Sequence, residues 1–540
     1  SVFIPSTDPP NLNNIHYNLN SNIVLELFNE QEVLLALKES KNKLTAGVDG
    51  VPSFLLRDCA SVLVKPLLHL FNTSLKSQTF PDKWKMAKLC PVFKSGDASL
   101  INNYRPISIL SNFSKVFERC IYKRIFASIS QLIAVSQHGF FPGRSTVTNL
   151  SCLLQYAYSE LNSKHQVDII YTDFSKAFDR LDHGIVALKM NMLGFHPSLI
   201  KFFLSYLSNR FQIVEYNGHQ SRQFTASSGA PQGSNLAPLI FSIFVNDIVA
   251  NIDSRILLFA DDMKIFRTVS NTSDCEKLQH DIDRVFEWCA LNRLPLNIKK
   301  CKKISITLNK LEIRYDYNIN LTLLENCEHV EDLGIIIDKK LSFNKHIDKV
   351  VKTSLKTLGF LIRSSTSFKN THTLSLLFSS LVKSRLNYAA IVWSPSYNNS
   401  ITRIESVQRR FLKYLSFRED GFYPPRGIDH TLLLNRFKFL SLHNTRLGDS
   451  VIFLYKLCNN VIDCSELLEQ LRFLIPSFGT RKPDQFYLFT PSTNVVKKAP
   501  LYQASLIFNH IRTRTDLDLF SLSLGSFKKR VREYTYSLQH

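Results

Sequence analysis

No run of about 18 uncharged apolar residues occurs in the 540-residue chain, which removes a membrane-spanning helix from consideration. Ten cysteines are present without a single Cys-x-x-Cys pair. Several fall inside apolar helical patterns, so the set reads as reduced, intracellular core cysteine rather than a disulfide framework or zinc site. Acidic residues are in deficit: 45 Asp+Glu against 66 Lys+Arg leave a formal net charge of +21. A field of that sign favours a polyanionic partner, and without a membrane segment nucleic acid is preferred over an anionic membrane surface. No internal repeat is visible. The chain starts at Ser1, with neither an initiator Met nor a signal-peptide pattern, so it is expected to be a piece of a longer polypeptide.

What is present has the length for several packed subdomains, with 44% hydrophobic residues. Residues 1–22, rich in Pro, Asn and Ser, read as a linker. Helices are expected from Gln31 to Ser40 and in "NYRPISILSNFSKVFERCIYKRI" after its loop, with a strand in "KMAKLCPVFKSGD". The centre alternates strand and helix: "VDIIYTDF", "DHGIVALKMNMLGF", "PSLIKFFLSYLSNR", "FQIVEYNG", "RQFTASSGAP" and the apolar helix "PLIFSIFVNDIVANI". "HVEDLGIIIDKKLSF" predicts a hairpin. Beyond Lys345 amphipathic helices follow, made basic by Lys349, Lys352, Lys356, Arg409 and Arg410 among others. Three basic helices in succession point to a nucleic-acid cradle. From Gly421 the tail reads as helix with some strand.

Two acidic motifs carry the chemistry. "RILLFADDMKIF", Arg255 to Phe266, interrupts an apolar segment with adjacent carboxylates at Asp261 and Asp262. Such a segment fits a hairpin with a polar corner, and it fits a metal site, because adjacent carboxylates repel unless a cation stands near them. Upstream, Asp173 ends the apolar strand of "VDIIYTDFSKAFDRLDH". Two strand ends of one sheet could bring the three carboxylates together around two Mg²⁺. Asp179 and Asp182 fit helix capping better than catalysis. Between the motifs, Gly229, Pro231 and Gly233 make a tight loop ahead of an apolar helix, through which backbone can approach a ligand.

In their order, "NYRPISIL", "QHGFFPGRST", "YTDFSKAFD", "SGAPQGSNLAPLIF", "FADD", "LNIKKCK" and "EDLGIIID" resemble the successive motifs of reverse transcriptases from non-LTR, LINE-type retrotransposons, particularly the jockey-like group. The resemblance spans roughly Thr45 to Phe417. It implies an α+β right-hand polymerase of fingers, palm and thumb: an N-terminal extension and fingers over 23–165, a palm over 166–344, a helical basic thumb over 345–420, and a C-terminal region of unknown role over 421–540. Asp173, Asp261 and Asp262, with the Phe174 carbonyl, would hold two Mg²⁺, with Mn²⁺ a possible substitute. Phe178 would lie beneath the sugar of the incoming nucleotide and exclude a 2′-hydroxyl. Gln232 and Gly233 would contact nucleotide and template, and Lys94 and Arg105 would neutralise the triphosphate or hold template backbone. Lys299 or Lys300 would protonate pyrophosphate. Arg144, with the basic helices, is a weaker nucleic-acid candidate.

The implied activity is RNA-directed DNA synthesis from dNTPs at a primer 3′-hydroxyl. The implied partners are an RNA template, a DNA primer or target, and an upstream endonuclease on the full polypeptide, with the nucleus as the place of synthesis and the cytoplasm as that of translation. Two alternatives stay open: a maturase-type enzyme, and a domesticated RNA-binding protein that keeps the fold without catalysis. The tail shows no ribonuclease H carboxylate set.

Overall fold

The computed structural model describes residues 23–368, 370–475 and 484–539. The expected linker over 1–22 lies outside them. At the centre is a five-stranded sheet. Strand β3 (Gln166–Asp173) is flanked by β8 (Asp262–Val269) and β9 (Lys302–Ile306); β7 (Arg255–Phe259) lies outside β8, and the short strand Glu325–Asn326 lies outside β9. β3 runs antiparallel to both neighbours, and β8 antiparallel to β7. A strand buried on both faces needs apolar residues in both alternating rows. In β3, Val167 and Ile169 enter one core while Ile170 enters the other. The exception is Asp168, fully buried in the same strand. Its charge is held by the Tyr317 hydroxyl at 2.9 Å, the Gln166 amide at 2.8 Å and Lys303 at 3.8 Å, as burial of an ion requires.

A second sheet joins β1 (Met86–Phe93), β2 (Tyr104–Leu110), β4 (Arg210–Tyr216), β5 (His219–Gln220) and β6 (Phe224–Ala226) in the order β2-β1-β4-β5, with β6 also on β4. β1 and β2 are an antiparallel pair, whereas β1 and β4 run parallel. The expected hairpin at "HVEDLGIIID" is present as His329–Asp332 paired with Ile335–Asp338.

One face of the central sheet is covered by helices including His183–Met192, Pro197–Leu207, Ala237–Phe244 and Thr272–Leu291. The other packs on Thr146–Asn162, Asn344–Ser364, Asn398–Asp420 and Leu442–Cys458. Two helices expected to be continuous are broken. "PLIFSIFVNDIVANI" stops at Phe244 and tightens into a 3-10 turn at Asn246–Val249. There the Asn246 side chain accepts from the Ala134 amide and Asp247 takes up the Lys189 ammonium. In "LSLLFSSLVKSRLNYAAIVW" the helix widens into a π turn at Ser379–Lys383, ends at Leu386 and restarts at Ala390 after Ala389, which is left-handed.

The tail differs from its expectation as well. Among the described residues beyond Gly421 no strand forms, only a bridge between Phe473 and Phe486. Its helices share the core of the 344–420 helices and dock on Thr146–Asn162. There Gln155 accepts from the Leu501 amide and Asn162 binds Ser492. A satellite core closes around Leu442–Cys458, Pro500–Arg512 and Leu524–Ser537. No helix among the described residues is long and apolar enough to cross a membrane.

Candidate active site

Hairpin and carboxylate cluster prove compatible at "RILLFADDMKIF". β7 and β8 are joined across Ala260 and Asp261, with Ala260 in the left-handed region at φ 56°. The β3–β8 register sets Asp173 directly opposite Asp262, so two strand ends and one turn present three carboxylates at one end of the sheet.

The turn is supported from its outer side by Ser136–Gly139. The Leu258 amide donates to the Ser136 carbonyl at 2.9 Å, and the His138 amide to the Leu258 carbonyl at 2.8 Å. The Gln137 side-chain oxygen accepts from the amides of Gly139, at 2.8 Å, and Ala260, at 3.2 Å. This approach requires glycine, since a Cβ on Gly139 would stand 2.1 Å from the Ala260 nitrogen. Burial holds the His138 imidazole neutral, pulling its pKa down to about 3 with help from Arg144 and Lys264.

The cluster is electrostatically loaded. Loss of water pushes the Asp262 pKa up to about 6, and Asp261, Asp332 and Asp173 add to the shift while Lys264 opposes it. Asp262 nonetheless keeps an exposed side chain, so solvent screens part of this repulsion. Lys264 is buried below it and ion-paired with Asp332. Asp173 accepts from the Lys300 ammonium at 2.8 Å, which separates Lys300 from Lys299 as the lysine at the site. The Asp173 backbone is pinned by the Asn297 amide at 2.7 Å. Among the described residues no backbone amide donates to the Phe174 carbonyl. The three carboxylates are not drawn into a common ligand cage: the one group of three ligating atoms within 4.8 Å of one another among the described residues lies elsewhere. A donor set of hard oxygens with one member pushed upward by burial and like charge and another already holding an ammonium suits divalent cations.

Beside the carboxylates a floor is built from Phe178 and the Gly229–Gly233 loop. Phe178 stacks on Phe241 at 4.7 Å and meets Phe140 edge-on at 5.9 Å. Its carbonyl accepts from the Ala230 amide at 2.9 Å. At Gly229, φ 83°, a Cβ would lie 2.7 Å from that same carbonyl oxygen. The Gln232 carbonyl accepts from the Ser108 amide at 2.8 Å, tying the loop to β2, and the Gln232 side chain donates to Asp179 at 2.8 Å. Asp179 is therefore no helix cap, as its sequence setting suggested; it orients Gln232, and burial raises its pKa. Asp182 does cap, accepting from the amides of Gly184 and Ile185.

The basic candidates divide. Lys94 follows β1 and Arg105 lies on β2, both exposed and without an acidic partner among the described residues. Lys352 and Lys356 are exposed on Asn344–Ser364, on one stripe with Lys345, Lys349 and Arg363 and with Phe360, 58% exposed. Lys349 is paired with Glu331 at 2.6 Å. Arg409 and Arg410 are exposed on Asn398–Asp420. Arg144 is a correction. Its Nη1 donates to the carbonyls of Ala134, Val135 and Gln137, its Nε pairs with Asp463 at 3.0 Å and the guanidinium covers the Phe141 ring, so the side chain is committed to the fold. Sequence reasoning missed Gln137 and Gly139, which hold the acidic turn, and read Asp179, which holds the Gln232 side chain, as a cap; Gly139, inside "QHGFFPGRST", was the available signal.

The family described as "Reverse transcriptase (RNA-dependent DNA polymerase)" matches residues 92–362, half of the chain. All three carboxylates, Phe178 and the Gly229–Gly233 loop fall inside that span. Among curated proteins the chain is 26% identical over 438 residues to the probable RNA-directed DNA polymerase from transposon BS of Drosophila melanogaster, covering 78% of this chain and 48% of that protein. It is 25% identical over 402 residues to the RNA-directed DNA polymerase from mobile element jockey of Drosophila funebris, covering 72% and 43%. The chain spans about half the length of the curated relatives it matches.

Proposed function

Since this chain belongs to the reverse transcriptase (RNA-dependent DNA polymerase) family, we propose that it is the polymerase portion of a jockey-like, non-LTR retrotransposon protein, extending a primer 3′-hydroxyl with dNTPs on an RNA template. The observation that carries this reading is the Asp173–Asp262 register with Asp261 in the adjoining turn, beside the Phe178 and Gln232 floor. In this reading the central sheet is the palm, the β1–β2 sheet with its neighbours the fingers, and the basic helices over 345–420 the thumb. An upstream endonuclease, a nicked chromosomal primer and synthesis in the nucleus complete it.

Asp173, Asp261, Asp262 and the Phe174 carbonyl would hold two divalent ions, Mg²⁺ or Mn²⁺. When bound, such a pair activates the primer hydroxyl and stabilises the charge developing on pyrophosphate. The chain's own groups do the rest. Lys300, which donates to Asp173 at 2.8 Å, would face the leaving phosphates were the carboxylate to hold cations, and its ammonium would there be the proton donor. Phe178, wedged between Phe241 and Phe140, cannot retreat from a 2′-hydroxyl. Asp179 fixes the Gln232 amide so that its direction is set before a nucleotide arrives. Lys94 and Arg105 are free to close on a triphosphate.

The test is dNTP incorporation on a primed homopolymer RNA with Mg²⁺ or Mn²⁺, comparing the parent with Asp261→Asn at equal folded concentration. The parent is expected to incorporate and the variant to lose about 10³-fold, or ~4 kcal/mol of transition-state stabilisation. A folded, RNA-binding parent without incorporation under either metal would overturn the reading in favour of the non-catalytic RNA-binding alternative.

A further inference from the structure

Behind the acidic turn lies a second cluster of ligating side chains that the polymerase reading leaves without a role. His138, Cys152 and Cys464 bring one ring nitrogen and two sulfurs within 4.8 Å of one another, and all three are buried, at 2%, 0% and 6% exposure. The two sulfurs stand 3.4 Å apart across 312 residues of sequence. His138 belongs to the strip that supports the Ala260–Asp261 turn, Cys152 to the helix Thr146–Asn162, and Cys464 to the tail, just ahead of Ser465–Leu468.

Sequence spacing gave no hint of this group, because metal-site patterns rely on ligands close in the chain and here each comes from a different segment.

Three observations make the cluster more than a pair of core thiols. First, the spacing fits. A tetrahedral zinc with Zn–S of about 2.3 Å and Zn–N of about 2.0 Å sets its sulfurs roughly 3.8 Å apart and each sulfur roughly 3.6 Å from the nitrogen. The sulfurs, 3.4 Å apart, need to open by only about 0.4 Å to match, and the ring nitrogen lies within 4.8 Å of both. Second, the imidazole is oriented from behind. Thr148 Oγ1 also reaches the Ser145 carbonyl at 2.8 Å; with its one proton given there, it accepts from His138 Nδ1, 2.8 Å away. That places the ring proton on Nδ1 and leaves the lone pair on Nε2, the arrangement by which a metal-bound histidine is held in its ligating tautomer. Third, the donor types agree on the metal, since two thiolates and an imidazole select zinc over the hard cations suited to the carboxylate site. Two thiolates also neutralise Zn²⁺, so the neighbouring Arg144, itself paired with Asp463, does not oppose occupancy.

We infer that His138, Cys152 and Cys464 form a zinc site, with water at the fourth corner, that clamps the tail and the Thr146–Asn162 helix to the strip supporting the catalytic turn. The ion forms two Zn–S bonds and one Zn–N bond, and the two thiol protons leave to solvent. Its role is positioning, because none of the three side chains touches the carboxylates' reacting side.

The whole chain, purified from zinc-supplemented cells without chelator, is analysed for bound metal. The expected content is about one zinc per chain, falling to a background level in Cys464→Ser and in Cys152→Ser. Cobalt(II) exchanged into the parent gives a readout independent of those variants' folding: thiolate-to-metal charge-transfer absorption appears if the sulfurs are ligands. Alkylation of the native parent, followed by mass analysis with and without reduction, distinguishes the rivals. A Cys152–Cys464 disulfide, or two free thiols in a chain that takes up neither zinc nor cobalt, overturns the proposal.

Discussion

The carboxylate end of the central sheet and the basic edge of the β1–β2 sheet carry opposite signs of charge, and they are built in opposite ways. Asp173 and Asp262 are fixed by ladder pairing, Asp261 by a turn held from outside. Repulsion among them is endured because the backbone, not the side chains, sets their separation. Lys94 and Arg105 stand on exposed positions with no acidic partner among the described residues. Charges that must stay together against repulsion need covalent register and outside support, whereas charges that attract the ligand can be left to find it.

The comparison breaks most severely at Gly139. If the acidic turn depends on the strip beside it, Gly139→Ala drives a Cβ to 2.1 Å from the Ala260 nitrogen, and backbone on one side must move. We expect a loss of about 2–4 kcal/mol of stability, seen as a lowered denaturation midpoint, with dNTP incorporation abolished in whatever fraction remains folded. A variant with parental stability and activity would mean the turn holds itself.

A smaller effect is expected on the basic side. Lys94→Ala and Arg105→Ala each remove a charge that the fold does not use, so stability should stay within about 0.5 kcal/mol of the parent. Loss of one charge-assisted contact to a phosphate would raise KM for dNTP by about 10-fold, corresponding to ~1.4 kcal/mol. Steady-state kinetics beside a melting curve separates the two. A fall in stability without a change in KM would show that this edge is built like the other.

How much of this was legible depends on how far apart the interacting parts lie in the chain. The carboxylates could be read because a strand ending in aspartate and a doublet between two apolar runs are local patterns, and β3 and β8 then pair as neighbouring strands do. The hairpin at His329–Asp338 was legible for the same reason. Arg144 was misread because a basic residue in a Gly/Pro loop looks exposed until the carbonyls of residues 134–137 and Asp463 are seen to surround it. Asp179 looked like a cap because its partner, Gln232, lies 53 residues away. The His138–Cys152–Cys464 cluster was invisible on the same ground, with 312 residues between its sulfurs. The helix breaks at Asn246 and Ala389 come from tertiary partners and backbone geometry that hydrophobic periodicity does not record.

The finest test of the comparison is the stability cost of the carboxylates themselves. In the folded chain the pKa of Asp262 is raised from 3.8 to about 6. The folded state thus binds this proton more tightly than the unfolded chain, and stability is fully present below about pH 3.8 and declines as pH rises through 6. With metal chelated, the parent should therefore lose stability relative to Asp262→Asn across pH 4 to 6. Because the side chain is partly in water, the difference should be discounted to about 1 kcal/mol. Denaturant melts of both proteins at pH 4 and pH 7 check it, the variant being the more stable at pH 7 and the two converging at pH 4. Addition of Mg²⁺ at pH 7 should then stabilise the parent and not the variant, because the cation removes the repulsion only where the carboxylate exists. Parallel curves without metal would mean that solvent already screens the acidic end, and that its charges are as free of the fold as those of Lys94 and Arg105.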